Sequence, residues 1–478
     1  MTDTEIYNVD PIDILCDLFI LFDSEKDMVD ILLNIKLSKL KDNGQTLREN
    51  VSKIEKKLQD LDITKNNNKY LCLSCIYGAF LGDSIGSCCE FNEPSSDNHK
   101  LIFTQKHVFE PGEITDDSEM ALSAAFAYMD SLDNDNSRIK DYLFFYFGIW
   151  CYSNPKDIGQ TTSDAFANFY HCDIKDIKFD QAIAEKTKKT NWKSLANGAL
   201  MRISTFIVYY YYMNLNKIKR IIIDYFSDKN TPTNTDLNDD ICNLYLDIFI
   251  EIYKNVQITH PNYENGISCA VFALMVLVGM ITKDGKKVYS IFKLISKSQK
   301  FVKCHQAYEN SYDKISSYAS NIQKGYSRII KDIEQNVKIY VFQHMGYYQH
   351  AFKLSIYYLV KYPDMGENQN KNLYYEIMCD VCDRGGDTDT NCAIVGTMIG
   401  PLIGYKNFKP DLFSIFIKFV PKRRSQFNSA FAYVYVNYLE EKLLNKDNQK
   451  IENNNKKEEF VYTSYDKIKK FLEEKMEI

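Results

Sequence analysis

Residues 384–390 read Arg384-Gly385-Gly386-Asp387-Thr388-Asp389-Thr390 and lead into the small, apolar run 391–400. The Gly-Gly turn followed by such a run predicts the start of a buried helix. Two carboxylates and two hydroxyls lie within residues 387–390, so their oxygens converge ahead of a core element. A hard divalent cation prefers oxygen ligands crowded in this way.

A second cluster of the same kind occupies residues 115–118, Thr115-Asp116-Asp117-Ser118. It follows a Pro-Gly pair at 111–112 and precedes the apolar helical run 120–127. One interpretation is helix capping, because Thr, Ser and Asp satisfy free backbone N–H groups and suit the helix dipole. A cap needs only one such residue, and each cluster offers three or four. The repeated excess favours a metal site shared by the two clusters.

Glycines at positions 78, 82 and 86 recur every four residues on one face of a predicted helix. This spacing allows a second helix to pack closely, either as the only role of the glycines or with a further role beside a ligand. Glu90 would leave that helix as a carboxylate near its end. Further along, residues 197–202 join a small-residue turn to an apolar run, which suits the presentation of backbone N–H groups to phosphate.

Six segments together resemble the ADP-ribosylglycohydrolases, a family that includes the dinitrogenase-reductase-activating glycohydrolases and the ADP-ribosylhydrolases. They occur in the family's order between about residues 70 and 405. The segments are Gly82-Asp83-Ser84-Ile85-Gly86 with Glu90, Thr115-Asp116-Asp117-Ser118, Pro155-Lys156-Asp157-Ile158-Gly159-Gln160-Thr161-Thr162, Asn197-Gly198-Ala199-Leu200-Met201-Arg202, Thr259-His260-Pro261 and Gly385-Gly386-Asp387-Thr388-Asp389-Thr390.

The resemblance implies a compact all-α domain with a binuclear Mg²⁺ (or Mn²⁺) centre. It implies cleavage of the glycosidic bond between ADP-ribose and a protein side chain or small acceptor. The metal ligands that it implies in this sequence are Thr115, Asp116, Asp117, Asp387, Asp389 and Thr390. Every one of these positions keeps an oxygen ligand.

Two carboxylates, Glu90 and Asp157, are implied by the resemblance to face the scissile bond. Cleavage at the anomeric carbon builds positive charge on the ribose while the leaving group needs a proton, so the site requires negative charge and a proton carrier. The sequence does not rank the two residues. Asp157 has an alternative role as a loop residue between Pro155 and Gly159, because Asp is favoured in turns.

The resemblance implies four substrate-binding residues, Asn197, Gly198, Ala199 and His260. It implies that the backbone N–H groups of Gly198 and Ala199 and the ring of His260 contact the diphosphate. A lone histidine is often a structural residue instead, and both readings of His260 stay open. Arg202 is expected to pack or pair and not to contact substrate.

Three functions are compatible with this pattern. The first is an ADP-ribosyl hydrolase, and the second is a protein of the same fold that binds ADP-ribose or a nucleotide without turnover. The complete ligand set favours the enzyme. The third is a Mg²⁺-dependent nucleotide pyrophosphohydrolase, but the Glu-x-x-Glu pairs typical of that class do not hold the acids here. The acceptor, whether arginine, serine, O-acetyl or polymer, has no motif.

Length and composition set the organisation of the chain. At 478 residues it can bury one core of about 300 to 370 residues with appendages, or two domains. We predict a helical N-terminal extension at 1–69, with helices at 12–22 and 28–40 and a charged helix that ends at 61. The catalytic domain follows at 70–440, and a charged linker and last helix at 441–478. Loops are predicted at 228–240, 283–287 and 365–372.

The net charge of -6 and pI near 5.8 exclude the basic footprint of a nucleic-acid-binding protein. The 13 scattered cysteines and the lack of a signal sequence predict reduced thiols in a soluble protein that is cytoplasmic or otherwise intracellular. The Cys-x-x-Cys pairs at 72/75 and 379/382 are expected to pack within helices and not to bind zinc. The longest apolar run, 269–282, is too short to cross a bilayer, so no membrane partner is expected. The oligomeric state stays open.

Overall fold

The computed structural model describes residues 45–94, 108–152, 155–167, 169, 178–227, 236–306, 315–366, 370–421 and 427–444. Across these ranges the regular structure is helical, apart from one isolated antiparallel bridge between Ala196 and Tyr347. The predicted all-α fold is therefore confirmed. The predicted helices at 12–22 and 28–40 and the predicted last helix lie outside the described residues.

Eighteen α-helices are described, and they are numbered here in chain order. The first nine are α1 (Gln45–Asp60), α2 (Asn67–Gly86), α3 (Asp116–Asp133), α4 (Ile139–Tyr152), α5 (Gln160–Phe166), α6 (Gln181–Asn191), α7 (Ser204–Met213), α8 (Leu215–Ser227) and α9 (Asp239–Val256). The others are α10 (Tyr263–Thr282), α11 (Gly285–Ile295), α12 (Gln299–Gln306), α13 (Ile315–Glu334), α14 (Tyr348–Lys361), α15 (Leu373–Asp383), α16 (Thr388–Ile403), α17 (Pro410–Lys418) and α18 (Phe431–Leu444). Short 3-10 turns lie at Asn136–Arg138, Asn197–Ala199 and Tyr405–Asn407.

Helix α16 lies at the centre of the fold and packs against α2, α10, α14 and α15. All sixteen of its residues are buried, so its sequence has to be apolar or small all round. Its closest neighbour is α2, of which residues 70–86 are all buried as well.

Glycines allow α2 and α16 to approach backbone to backbone. A Cβ added at Gly78 would overlap the carbonyl oxygen of Gly396, and one at Gly82 or Gly86 would overlap the carbonyl oxygen of Cys392 or Thr388. Contacts at 78, 82 and 86 thus pair with contacts at 396, 392 and 388, so the helices are antiparallel. The C-terminal end of α2 therefore lies beside the start of α16, which places the loop that carries Glu90 next to the Asp387 cluster.

Helix α10 is longer than the apolar run 269–282 from which its length was predicted. The helix begins at Tyr263, six residues before the apolar run, and is long and apolar enough to cross a bilayer by length and composition. The prediction that this apolar segment is too short to cross a bilayer is therefore wrong. Because 89% of the helix's apolar window is buried inside the protein, α10 is a core helix.

The N-terminal helix α1 packs on the same body as the rest of the described chain. It contacts α17, with Val51, Ile54 and Leu58 in the common core. The carbonyl oxygen of Leu58 accepts a hydrogen bond from the Tyr405 hydroxyl at 2.8 Å. The charged helix predicted to end at 61 is thus confirmed at Gln45–Asp60, while the boundaries at 69/70 and 440/441 stay predictions.

The predicted loop at 283–287 is wrong in its extent, because α11 already begins at Gly285. The Asp284 side chain caps this helix by accepting hydrogen bonds from the backbone N–H groups of Lys286 at 2.8 Å and Lys287 at 3.3 Å. The glycine and lysines around Asp284 favoured the prediction of a loop, although an aspartate is also a preferred N-cap residue of a helix.

Replacing Gly396 by alanine should destabilise the protein. Its Cβ would overlap the backbone of Gly78, which has no flexible side chain to move aside. We expect a loss of at least about 1–3 kcal/mol in the free energy of unfolding, the usual cost of overpacking. Urea unfolding followed by circular dichroism measures it.

The matched control is Gly279→Ala, a helix-interior glycine whose added Cβ would sit at 3.4 Å from the side chains of Leu402 and Val288. We expect it to be neutral or to stabilise by up to about 1 kcal/mol through helix propensity. Equal unfolding midpoints for the two variants would show that close approach of α2 and α16 is not required.

Candidate active site

The first turns of α3 and α16 meet, and they carry the predicted metal ligands. Thr390 donates its hydroxyl to the Oδ2 atom of Asp117 at 3.1 Å across the two helices. Thr115 is the N-cap of α3, and its Oγ1 accepts from the Asp117 backbone N–H at 3.4 Å. Capping therefore explains Thr115 in part. It does not explain Asp387, the N-cap residue of α16, whose side chain makes no capping hydrogen bond.

Asp387 is held from another direction. Its Oδ2 accepts a hydrogen bond from the side-chain amide of Asn197 at 2.7 Å. Asn197 is in turn fixed by its backbone N–H, which donates to the carbonyl oxygen of Gly346 at 2.8 Å. The predicted phosphate-binding turn and the predicted metal cluster are thus joined by a direct hydrogen bond.

Asp83 is a site residue that the sequence reasoning missed. Its fully buried carboxylate accepts hydrogen bonds from the backbone N–H of Thr115 at 3.0 Å, the backbone N–H of Ser118 at 3.2 Å and the Ser118 hydroxyl at 2.5 Å. Asp83 therefore anchors the start of α3 to α2. The signal was present, since Asp83 is the one acidic residue of α2 and stands in its otherwise apolar and small C-terminal half.

Glu90 reaches the cluster because its loop is joined to the Gly-Gly turn. The backbone N–H of Phe91 donates to the carbonyl oxygen of Gly386 at 2.7 Å, and the N–H of Gly386 donates to that of Asn92 at 3.0 Å. One carboxylate oxygen each of Glu90, Asp387 and Asp389 lie within 4.8 Å of one another. A side chain at position 385 would overlap the Asn92 carbonyl, so this junction needs glycine.

Asp157 also lies in the site. One of its oxygens is within 4.8 Å of oxygens of Asp116 and Asp389. Its Oδ1 accepts from the backbone N–H of Ile158 at 2.8 Å, so it forms a local turn contact at the same time. The adjacent Lys156 pairs with Glu113 at 2.6 Å and so ties this loop to the segment before α3.

The carboxylates raise one another's pKa values. Burial, followed by repulsion from Asp157, Asp387 and Asp83, raises the pKa of Glu90 to about 8. Burial raises the pKa of Asp83 to about 6, although its hydrogen bonds act in the opposite direction.

Three aspartates are affected more strongly. The pKa values of Asp116, Asp117 and Asp389 are raised well above the ordinary value, first by burial and then by neighbouring carboxylates. A cluster of this kind favours either protons or bound cations.

The donor set fits divalent cations. Among the described residues, no lysine, arginine or histidine forms an ion pair with Asp116, Asp117, Asp387 or Asp389. The Oδ1 atom of Asp117 is buried without a hydrogen-bond partner. Carboxylate and hydroxyl oxygens without counter-ions are the ligands that Mg²⁺ and Mn²⁺ prefer. The candidate metal groups in the described part of the chain consist of carboxylates.

The predicted phosphate-binding residues lie beside the cluster. Asn197, Gly198 and Ala199 form a 3-10 turn, and the ring of His260 lies beneath Gly198. His260 is buried, and its Nε2 atom has no hydrogen-bond partner among the residues that the structure describes. All twelve predicted site residues therefore fall in one continuous region.

Comparison with known proteins identifies the family. The sequence model of the ADP-ribosylglycohydrolase family matches residues 66–416. The chain belongs to the ADP-ribosylglycohydrolase family. This confirms the resemblance found in the six segments, and it supports hydrolase activity of the ADP-ribosylglycohydrolase kind.

One similar protein is from Acanthamoeba polyphaga mimivirus and is named "Putative ADP-ribosyl glycohydrolase L543". It is 23% identical over 352 residues, which cover 71% of this chain and 88% of the relative. A solved structure described as an ADP-ribosylglycohydrolase-related protein complex aligns with 78% of this chain and 99% of its own, at 14% identity and a TM-score of 0.48.

The metal-free protein should lose stability as pH rises through neutrality. A carboxyl group with a higher pKa in the folded than in the unfolded state binds its proton more tightly when folded. For Glu90 the stabilisation is complete below about pH 4.5 and is lost as pH rises to about 8. We expect the melting temperature in EDTA to fall across this window, and saturating Mg²⁺ to reduce the fall.

Scanning calorimetry at several pH values measures this, with Glu90→Gln as the matched variant. The amide cannot ionise, so its melting temperature should fall less steeply in EDTA. A metal-free protein that gains stability from pH 5 to about pH 8 would contradict the clustering of like charges.

Proposed function

We propose that the protein is a metal-dependent hydrolase that cleaves the glycosidic bond between ADP-ribose and a protein side chain or small acceptor. The observation that carries this is the convergence of six oxygen-bearing residues from α3 and α16 without a counter-ion. Glu90, Asp157 and the turn Asn197–Ala199 border the same cluster, so proton transfer and diphosphate binding have candidate groups beside it.

The ligands proposed for two Mg²⁺ or Mn²⁺ ions are Thr115, Asp116, Asp117, Asp387, Asp389 and Thr390. When bound, such ions supply positive charge that fixes ribose hydroxyls and polarises water. Hydrogen bonds already position two of these carboxylates in the metal-free protein. Thr390 donates to Asp117, and Asn197 donates to Asp387. Asp83 contributes in the same way by fixing the first turn of α3.

Glu90 is the proposed proton carrier. In the hydrolysis, the oxygen of water bonds to the anomeric carbon while the bond from that carbon to the acceptor atom breaks. One proton of the water is lost from the attacking oxygen, and one proton is delivered to the acceptor, so a single carboxyl group can serve both transfers. Glu90 is the candidate because its carboxyl group borders the cluster, with one oxygen within 4.8 Å of oxygens of Asp387 and Asp389.

Asp157 has the complementary role in this proposal. Its carboxylate is fixed by the Ile158 N–H and stands near Asp116 and Asp389. Negative charge fixed at this point stabilises the positive charge that develops on the ribose ring. The substrate is an ADP-ribosylated protein or a small ADP-ribose conjugate, and the proposed setting is intracellular.

One experiment tests the proposal and separates it from the alternatives. The protein is incubated with ADP-ribosylated arginine peptide, ADP-ribosylated serine peptide and O-acetyl-ADP-ribose, with Mg²⁺ or with EDTA, and the products are separated by chromatography. Release of free ADP-ribose with Mg²⁺ supports the hydrolase. Release of AMP indicates a pyrophosphohydrolase, and binding of ADP-ribose without any product indicates an inactive binding protein.

Replacement of Glu90 by glutamine should lower the rate of hydrolysis without weakening the binding of ADP-ribose or Mg²⁺. The amide keeps the size of the side chain but cannot carry the proton, so single-turnover rates should fall by about 10² to 10⁴. Isothermal titration should show that ADP-ribose and Mg²⁺ still bind.

The control is Glu376→Gln on α15, where Glu376 accepts hydrogen bonds from the exposed Asn370. Its rates should match the wild type. Normal turnover by Glu90→Gln would assign the proton transfer to another group, and Asp157→Asn would then be the variant to examine.

A further inference from the structure

Gly346 is exposed to solvent and lies where the carboxylate cluster meets the Asn197 turn. A Cβ added to Gly346 would lie 3.9 Å from the Oδ2 atom of Asp387 and 3.7 Å from the Oδ1 atom of Asn197. Both are ordinary contact distances. Apart from the two chain neighbours of Gly346, no other atom of the described residues lies within 4 Å of that position. The side-chain direction of Gly346 therefore opens into a gap that Gly346, Asp387 and Asn197 border.

The fold itself does not require a glycine at position 346. The backbone of Gly346 lies outside the left-handed region, whereas Gly385 and Gly386 have φ values of 69° and 82°. A Cβ at Gly385 would also overlap the Asn92 carbonyl oxygen at 2.4 Å, and no such overlap occurs at Gly346. Neither backbone conformation nor packing explains the missing side chain, so the explanation is sought in the gap beside it.

The backbone of Gly346 is held in place beside the gap. Its carbonyl oxygen accepts a hydrogen bond from the Asn197 backbone N–H at 2.8 Å. The next residue, Tyr347, forms the antiparallel bridge with Ala196. A side chain at position 346 would therefore project into the gap, because the strand-like pairing keeps the backbone from moving back.

A ligand that reaches from the cluster to the turn has to pass Gly346. Asp387 belongs to the ligands proposed for the metal ions that fix the ribose, and Asn197 belongs to the turn proposed to bind the diphosphate. The two residues are already joined by a hydrogen bond of 2.7 Å. In ADP-ribose, the C5 carbon of the terminal ribose carries the oxygen that bonds to the diphosphate. This link between sugar and diphosphate is the part of the ligand that would lie in the gap.

We propose that Gly346 is a specificity-determining residue, whose bare backbone admits the link between the terminal ribose and the diphosphate of ADP-ribose. A side chain at this position would exclude the link by occupying the gap, while leaving the carboxylate cluster able to bind metal. The identity of the ligand rests on the proposed function. The open side of Gly346 is a property of the metal-free protein.

The size dependence of this exclusion is tested with Gly346→Ala and Gly346→Val. Isothermal titration with ADP-ribose at saturating Mn²⁺ measures the affinity of each variant. We expect several-fold weaker binding with alanine and about 10- to 100-fold weaker binding with valine, the range that corresponds to the usual cost of overpacking.

Two further measurements separate steric exclusion from damage to the site. Titration of Mn²⁺ followed by electron paramagnetic resonance should give the wild-type affinity for both variants. The melting temperature of Gly346→Ala should be unchanged or slightly raised, because alanine restricts the unfolded chain. Loss of Mn²⁺ binding in Gly346→Val would show that the substitution disturbs Asp387, and this would overturn the steric role.

ADP tests which part of the ligand passes Gly346. It carries the diphosphate but lacks the terminal ribose, so it does not need to span the gap. We expect Gly346→Val to weaken ADP much less than ADP-ribose. Equal weakening of the two ligands would place the clash on the diphosphate and would overturn the assignment to the link.

The matched control is Gly279→Ala on α10, where the added Cβ would meet the side chains of Leu402 and Val288 at 3.4 Å. It tests whether replacement of a glycine alone changes affinity, and we expect ADP-ribose to bind as in the wild type. Circular dichroism establishes that each variant is folded.

The outcomes separate failure of this inference from failure of the proposed function. Unchanged ADP-ribose affinity in folded Gly346→Val overturns the inference, and so does a wild type that does not bind ADP-ribose. If Gly346→Val loses ADP-ribose affinity but the wild type cleaves no ADP-ribose conjugate, the inference stands and the hydrolase proposal fails. Cleavage by the wild type together with full affinity in Gly346→Val leads to the opposite conclusion.

Discussion

Repulsion between carboxylates confined at one point is the constraint on which this structure depends. Asp116, Asp117 and Asp389 are buried, and Asp387 and Glu90 stand beside them. Like charges held together in a low-dielectric interior are unfavourable unless protons or cations neutralise them. No basic side chain of the described chain pairs with the four aspartates, so their neutralisation falls to protons or to the bound cations that we propose.

The rest of the fold holds this cluster in place against its own repulsion. Close packing of α2 on α16 through Gly78 and Gly396 fixes the two helix ends that carry it. Asp83 then anchors α3 to α2, and Asn197 anchors Asp387 to the neighbouring turn.

Much of this was predictable from the sequence. The excess of polar residues at 115–118 and 387–390 predicted that the two clusters share one site, because capping alone requires fewer of them, and the structure places the two clusters in contact. The helical fold followed from periodicity and from the six ordered segments. Asp83 was missed because it looks like one member of a glycine motif, and its three hydrogen bonds come from residues more than thirty positions away. The buried hydrogen bond from Arg202 to Thr259 joins residues 57 positions apart and has no local signature. The start of α11 was misplaced because a single cap, Asp284, decided it.

The most direct test of the account is anomalous diffraction from crystals of the protein grown with Mn²⁺. Two strong anomalous peaks are expected between the first turns of α3 and α16, bounded by Asp116, Asp117, Asp387 and Asp389. The same data should show both peaks lost in the Asp389→Ala variant, which removes the carboxylate that the two candidate metal groups share. A wild-type crystal soaked in Mn²⁺ that shows no peak at this position would contradict the claim that the cluster is built to bind divalent cations.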